Sequence, residues 1–260
     1  MAVASVEDAF VLDRLTVAYR KVLACDAISL RVPTGSICAV LGRTGAGKSS
    51  LISCLAGDKK PSAGRSVLFG LDGWKQRRKL RPILARIASD PTWTSEELLH
   101  HALAREPRGL LIDDLDVGGG SSRAVAQQKL RDAAARGVTV LFATRRAADV
   151  DGLADRIAIL HKSRLLLDDS TATITARFRR IRYQNEITAT RSEYGTELDA
   201  FEAVRVRVRG WGVDAVVSNF SERLFDRFRA LDGVTQAESS SMTLEEIFEA
   251  LAPNVTAGGR

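Results

Sequence analysis

The sequence predicts an α/β fold with a mainly parallel sheet, followed by a small C-terminal α+β domain. Three observations carry this. Buried-type apolar runs alternate with helical segments from residue 36 to 160. A strand, a glycine-rich loop and a helix follow one another at 36–57. After about residue 170 the pattern changes to strict alternation and capped helices.

The elements follow in order. Residues 10–18 (FVLDRLTVA) and 28–33 (ISLRVP) alternate as half-buried strands do. SICAVL (36–41) reads as a strand buried on both faces. SLISCLAG has helical periodicity and closes at Gly57. SVLFG is a short strand, and WKQRRKLRP (74–82) is basic. Thr94 and Glu97 have capping-box spacing before a helix through LLHHALA. GLLID (109–113) and VTVLFAT (138–144) are buried strands around a helix over roughly 121–136. A helix near 147–154 and a strand at 156–160 follow. Farther on, VRVRVRGWGVDAVVS reads as a β-hairpin. SERLFDRFRALDG reads as an amphipathic helix capped by Ser221 and stopped by Gly233. MTLEEIFEAL is a closing helix with Thr243 and Glu246 at capping-box spacing. The expected divisions are a core at 8–170, a small domain at 171–252 and a flexible tail at 253–260.

Composition excludes several classes. At 260 residues with 45% hydrophobic and 27% charged residues, the chain is no disordered polymer. No apolar run approaches a membrane-spanning length. The acidic start MAVASVEDAF is unlike a secretory leader. Cys25, Cys38 and Cys54 form no disulfide or zinc pattern, so a reducing, cytoplasmic setting is expected. The formal charge of +6 is compatible with nucleic acid, a membrane surface or a phosphorylated ligand, and selects none. The densest basic stretch, RFRRIR (Arg177, Arg179, Arg180, Arg182), reads as a solvated face. His100 and His101 are adjacent and read as a surface pair. Trp74 and Trp93 read as core packing beside a shortened region.

Gly42-Arg43-Thr44-Gly45-Ala46-Gly47-Lys48-Ser49 matches the phosphate-loop pattern G-x-x-x-x-G-K-[ST] without a mismatch, and Ser50 follows it. The chemistry asks for these residues. Glycines let backbone N–H groups close around phosphate oxygens, and the next helix offers its positive end. Lys48 suits the β- and γ-phosphates, and the Ser49 hydroxyl suits Mg²⁺, a hard cation. Asp113 and Asp114 end a buried strand, where ligands sit in open α/β sheets. Asp113 is expected to hold Mg²⁺, and Asp114 to orient an attacking water.

From these motifs the chain resembles the ATP-binding subunit of the ATP-binding cassette (ABC) transporters. The likeness runs through most of 10–252. It includes LTVAYRKVLACDAISLRVPTGSICAVLGRTGAGKSSL, ALAREPRGLLIDD, GVTVLFATRRAADVDGLADRIAILHKSRLL and the exporter-like tail MTLEEIFEALAP. The resemblance implies a P-loop NTPase core that binds ATP with Mg²⁺. It implies Tyr19 on adenine, a permease in the membrane as partner and a second ATP-binding subunit, identical or not. The subunit would then sit on the inner face of the cell membrane through that permease.

Departures from the family are as informative. Only 65 positions separate Lys48 from Asp113, and the LSGGQ signature with its helical subdomain is missing there. Ser89 or Asp90 stands near the place of the joining glutamine, and glycine (Gly120) near that of the D-loop aspartate. Asp114 replaces the catalytic glutamate, a shorter arm by one carbon–carbon bond. Arg145 replaces the switch histidine; it shuttles no proton but can stabilise γ-phosphate charge. Two readings follow: an exporter subunit with weakened hydrolysis, or a nucleotide-binding regulatory or structural subunit. A small-molecule kinase and a nucleic-acid binder through Arg180 fit less of the chain.

Overall fold

The computed structural model describes residues 7–88, 94–114, 120–185, 196–210 and 212–253. Trp93, Ser89, Asp90 and the tail from 254 lie outside them. The chain divides into two compact units, Met1–Asp169 and Ser170–Arg260.

The first unit holds two sheets. Strands β1 (Asp8–Tyr19), β2 (Val22–Pro33), β4 (Ala63–Leu68) and β5 (Leu71–Asp72) form an antiparallel sheet in the order β2-β1-β4-β5. The second sheet has the order β10-β9-β3-β8-β7-β6. Its strands are β3 (Ile37–Gly42), β6 (Leu84–Ala88), β7 (Gly109–Asp113), β8 (Thr139–Thr144), β9 (Arg156–His161) and β10 (Arg164–Ser170). From β9 through β6 every pairing is parallel. Every residue of β3 and β8 is buried, as uniformly apolar runs between two covered faces should be.

Helix α1 (Lys48–Leu55) leaves the phosphate loop and buries Leu51, Ile52, Cys54 and Leu55 in the core between the sheets. Helices α2 (Arg77–Leu80), α3 (Ser95–Leu103) and α4 (Gly120–Ala135) complete the unit. Thr94 caps α3 as expected: its hydroxyl accepts from the Glu97 amide, and the Glu97 carboxylate accepts from the Thr94 amide at 2.8 Å. The expected helix near 147–154 is shorter: a 3₁₀ turn at Ala147–Asp149, because the Asp149 carboxylate turns inward onto Thr144 and Arg146.

The second unit contains α5 (Thr171–Arg177), β11 (Arg179–Asn185), β12 (Ala203–Arg209), β13 (Gly212–Val217), α6 (Glu222–Arg229), β14 (Val234–Ser241) and α7 (Leu244–Leu251). Its antiparallel sheet runs β12-β13-β11-β14. The two central strands are the first and third in chain order, and α6 crosses between β13 and β14. This is a split β-α-β arrangement. Tyr183, Phe201, Phe225 and Phe228 fill its core, with Tyr183 and Phe228 edge to face at 4.9 Å.

RFRRIR is therefore no solvated face throughout. Arg179, Arg180 and Arg182 lie in the central strand β11, and Arg180 meets Asp214 at 3.7 Å and Glu246 at 3.2 Å. The hairpin β12–β13 forms, but Val206 and Val208 on edge strand β12 stay exposed. Gly233 does not stop α6, which ends at Arg229; with φ 85° it turns the chain into β14 instead. Trp74 is half-buried under the Arg77 guanidinium rather than in the core.

Candidate functional site

The loop's glycines are demanded by its shape. Gly47 has φ 106°, and a Cβ there would overlap the Ala24 carbonyl oxygen. Gly45 also has positive φ, 79°. A Cβ on Gly42 would stand 2.7 Å from the Leu160 carbonyl oxygen. Ala46 is buried behind the loop, and its amide donates to the Arg43 carbonyl at 3.1 Å. Gly42, Arg43 and Ala46 thus shape the loop. Thr44, Gly45, Gly47, Lys48, Ser49 and Ser50 line a cavity that also takes in Tyr19, Asp114 and Arg145.

α1 begins at this cavity without a side-chain cap and without an acid in its first turn. Its first N–H groups and the positive end of its dipole are left for an anion. Lys48 is buried, and its ammonium donates to the Gly42 and Arg43 carbonyls at 2.8 and 3.2 Å. Burial holds its pKa below the ordinary lysine value; Asp114 and Asp113 oppose that shift and Arg145 adds to it.

Parallel pairing of β3, β8 and β7 carries the acidic residues to the same end of the sheet. Ser49 Oγ donates to Asp113 Oδ1 at 2.8 Å. These oxygens fit a hard cation shared with phosphate oxygens, which is how Mg²⁺ is usually held. Asp114 stands just past β7 with φ 56°, its amide bonded to the Ala143 carbonyl at 3.1 Å. Arg145, just past β8, places Nε 3.2 Å from Asp114 Oδ2 and 3.4 Å from Oδ1. Tyr19 ends β1 with its ring half-exposed, Lys59 Nζ lying 4.4 Å from its centroid. Val22, Leu23 and Ala24 extend the same wall with apolar surface.

Sequence reasoning missed Arg86. From β6 its guanidinium reaches Asp58, just past α1, and comes within 3.6 Å of Asp113 Oδ2. The apolar positions that flank Arg86 in LARIA were the available sign of a strand.

The sequence profile of the family described as ABC transporter matches residues 25–174, more than half of the chain. The chain belongs to the ABC transporter family. Its relatives are ATP-binding proteins of such transporters, and its structural neighbours share the fold of ATP-binding cassettes. A methionine import ATP-binding protein, MetN of Rhodopseudomonas palustris, is 30% identical over 214 residues, covering 60% of this chain and 58% of its own. The O-antigen export system ATP-binding protein RfbB of Klebsiella pneumoniae is 28% identical over 188 residues, 56% of this chain and 76% of its own. A bacterial Atm1-family ABC exporter solved with ATP bound superposes with a TM-score of 0.59 at 18% identity, over 68% of this chain and 41% of that one. At that identity the likeness is one of fold. The first two methionine-import relatives are matched over only 14% and 58% of their own lengths. Importers and exporters both stand among the relatives.

Proposed function

We propose that this chain binds Mg·ATP and serves as the ATP-binding subunit of an ABC exporter, energising a separate membrane permease with weakened hydrolysis. The observation that carries this is one cavity walled by the phosphate loop, Asp114, Arg145 and Tyr19, with Ser49 bonded to Asp113 at its edge. Lys48 and the α1 amides would take the phosphates, and Tyr19 with Val22 and Leu23 the base. Ser49 and Asp113 would hold Mg²⁺, which supplies charge neutralisation at the phosphates. Asp114 would orient the water, and Arg145 would exchange its bond to Asp114 for the γ-phosphate.

Weakened hydrolysis rests on two features. Aspartate at 114 has a short reach, and misplacement of about 1 Å can cost roughly a hundredfold in rate. Its carboxylate is also engaged by Arg145. That same ion pair supports a second reading, a nucleotide-binding regulatory subunit with negligible turnover. Export is supported by the similarity to the O-antigen export protein and by the exporter-like tail MTLEEIFEALAP. The expected partners are a membrane permease and a second ATP-binding subunit, which would supply the absent signature.

Steady-state ATP hydrolysis by the purified chain, beside Asp114→Asn, separates the readings. Slow turnover that the variant loses supports the first. Mg·ATP binding without turnover in either protein, and none after adding a signature-bearing cassette, supports the second.

A further inference from the structure

The connection between β5 and β6 carries charge that the nucleotide site does not use. Residues 74–82 read WKQRRKLRP, with five cations between Lys75 and Arg81 and no acid. Asp72 starts the turn, its carboxylate accepting from the Trp74 and Lys75 amides at 3.1 and 2.7 Å. Leu80 is buried and anchors α2. The turn packs at the far end of α1 from the phosphate loop. A Cβ on Gly57, just past α1, would come 2.7 Å from Arg77 Cβ and 2.8 Å from the Gly73 carbonyl oxygen. An eight-residue helix is about 12 Å long, so the basic turn and the phosphate loop lie at opposite ends of α1.

Arg77 is used internally. It donates to the Trp74 carbonyl at 2.9 Å and its guanidinium lies 4.4 Å from the Trp74 ring centroid. Lys75, Arg78, Lys79 and Arg81 are exposed, and among the described residues none of them meets a carboxylate. Several other arginines of this unit do, among them Arg31, Arg65, Arg86, Arg145, Arg146, Arg156 and Arg164, each with an acidic partner. Like charges left together on one turn repel one another. They create a local positive potential that an anionic surface would relieve.

The chemistry favours a surface of spread charge over a single acidic group. Lysines and arginines are mixed, their long side chains are exposed, and Trp74 sits half-exposed beside them. Four or more cations outward of a buried leucine suit anionic headgroups. A family whose partners are membrane permeases works next to a bilayer. We infer that Lys75, Arg78, Lys79 and Arg81 bind anionic phospholipid headgroups at a membrane surface.

The test is co-sedimentation of the full chain with phosphatidylcholine vesicles, with and without phosphatidylglycerol, at low and high salt. The wild type should bind only the anionic vesicles and be released by salt. Replacing Lys75, Arg78, Lys79 and Arg81 together by Gln should lower partitioning roughly tenfold or more, with Mg·ATP binding unchanged. A control that replaces Arg182, Arg207, Arg209 and Arg223 by Gln removes the same charge from the second unit and should retain binding. Should the first variant fail to fold, Lys79→Glu at an exposed position should still weaken binding several-fold. Equal loss in both quadruple variants would overturn the proposal in favour of overall basicity. Indifference of the wild type to anionic vesicles, with binding to polyglutamate instead, would overturn it in favour of an acidic protein partner.

Discussion

Gly47 and Lys48 show how closely the phosphate loop is specified residue by residue. Gly47→Ala forces a side chain into left-handed backbone and onto the Ala24 carbonyl. We expect a loss of about 2 kcal/mol or more in thermal or urea unfolding, from strain and clash together. Lys48 makes a pH prediction with two opposite signs. Its folded pKa is depressed, so it loses its proton at a pH below the ordinary lysine value. ATP affinity should therefore fall with rising pH earlier than for an exposed lysine. The stability of the nucleotide-free chain should rise over the same window, because the unfolded state holds the proton longer. Nucleotide titration and urea unfolding from neutral to alkaline pH check both. These residues were legible in the sequence because one contiguous motif states them together: glycines for positive φ and close approach, and one cation. Arg86 was not, because its role depends on β6 lying beside β7, which no local pattern states.

Caps were as legible as the loop. Thr94 with Glu97 and Thr243 with Glu246 are reciprocal boxes in the structure. Thr243→Ala should cost the second unit about 1 kcal/mol in urea unfolding. The Thr243 amide above all, then Arg180, holds the Glu246 carboxyl below the usual glutamate range. The stability this contributes is present at neutral pH and is lost as pH falls through that lowered pKa. Strands β6, β11 and β14 were not legible. β11 (RRIRYQN) and β14 (VTQAESSS) are polar sequences whose strand state comes from their neighbours in the sheet. The valines of β12 err the other way: their alternation is real, yet at the edge of the sheet two of them remain exposed. Alternation specifies a pleat, and burial requires something to cover it.

At the scale of the whole molecule, the α/β class with a parallel sheet was legible because buried runs and helices alternate with little ambiguity. The antiparallel sheet beside it was legible only as separate strands. The second unit has its own aromatic core, so damage there should stay there. Phe228→Ala removes a ring packed on Tyr183 and Phe201. It should destabilise the second unit by about 3–5 kcal/mol and leave Mg·ATP affinity unchanged, as paired denaturation and nucleotide titrations would show. The most direct measurement for the molecule as a whole is calorimetric titration of Mg·ATP into the wild type and Lys48→Ala, with circular dichroism confirming that both are folded. Saturable binding in the wild type, weakened at least tenfold in the variant, is the predicted result. Folded proteins that both fail to bind, or that bind equally well, would contradict the assignment of the loop as a working nucleotide site.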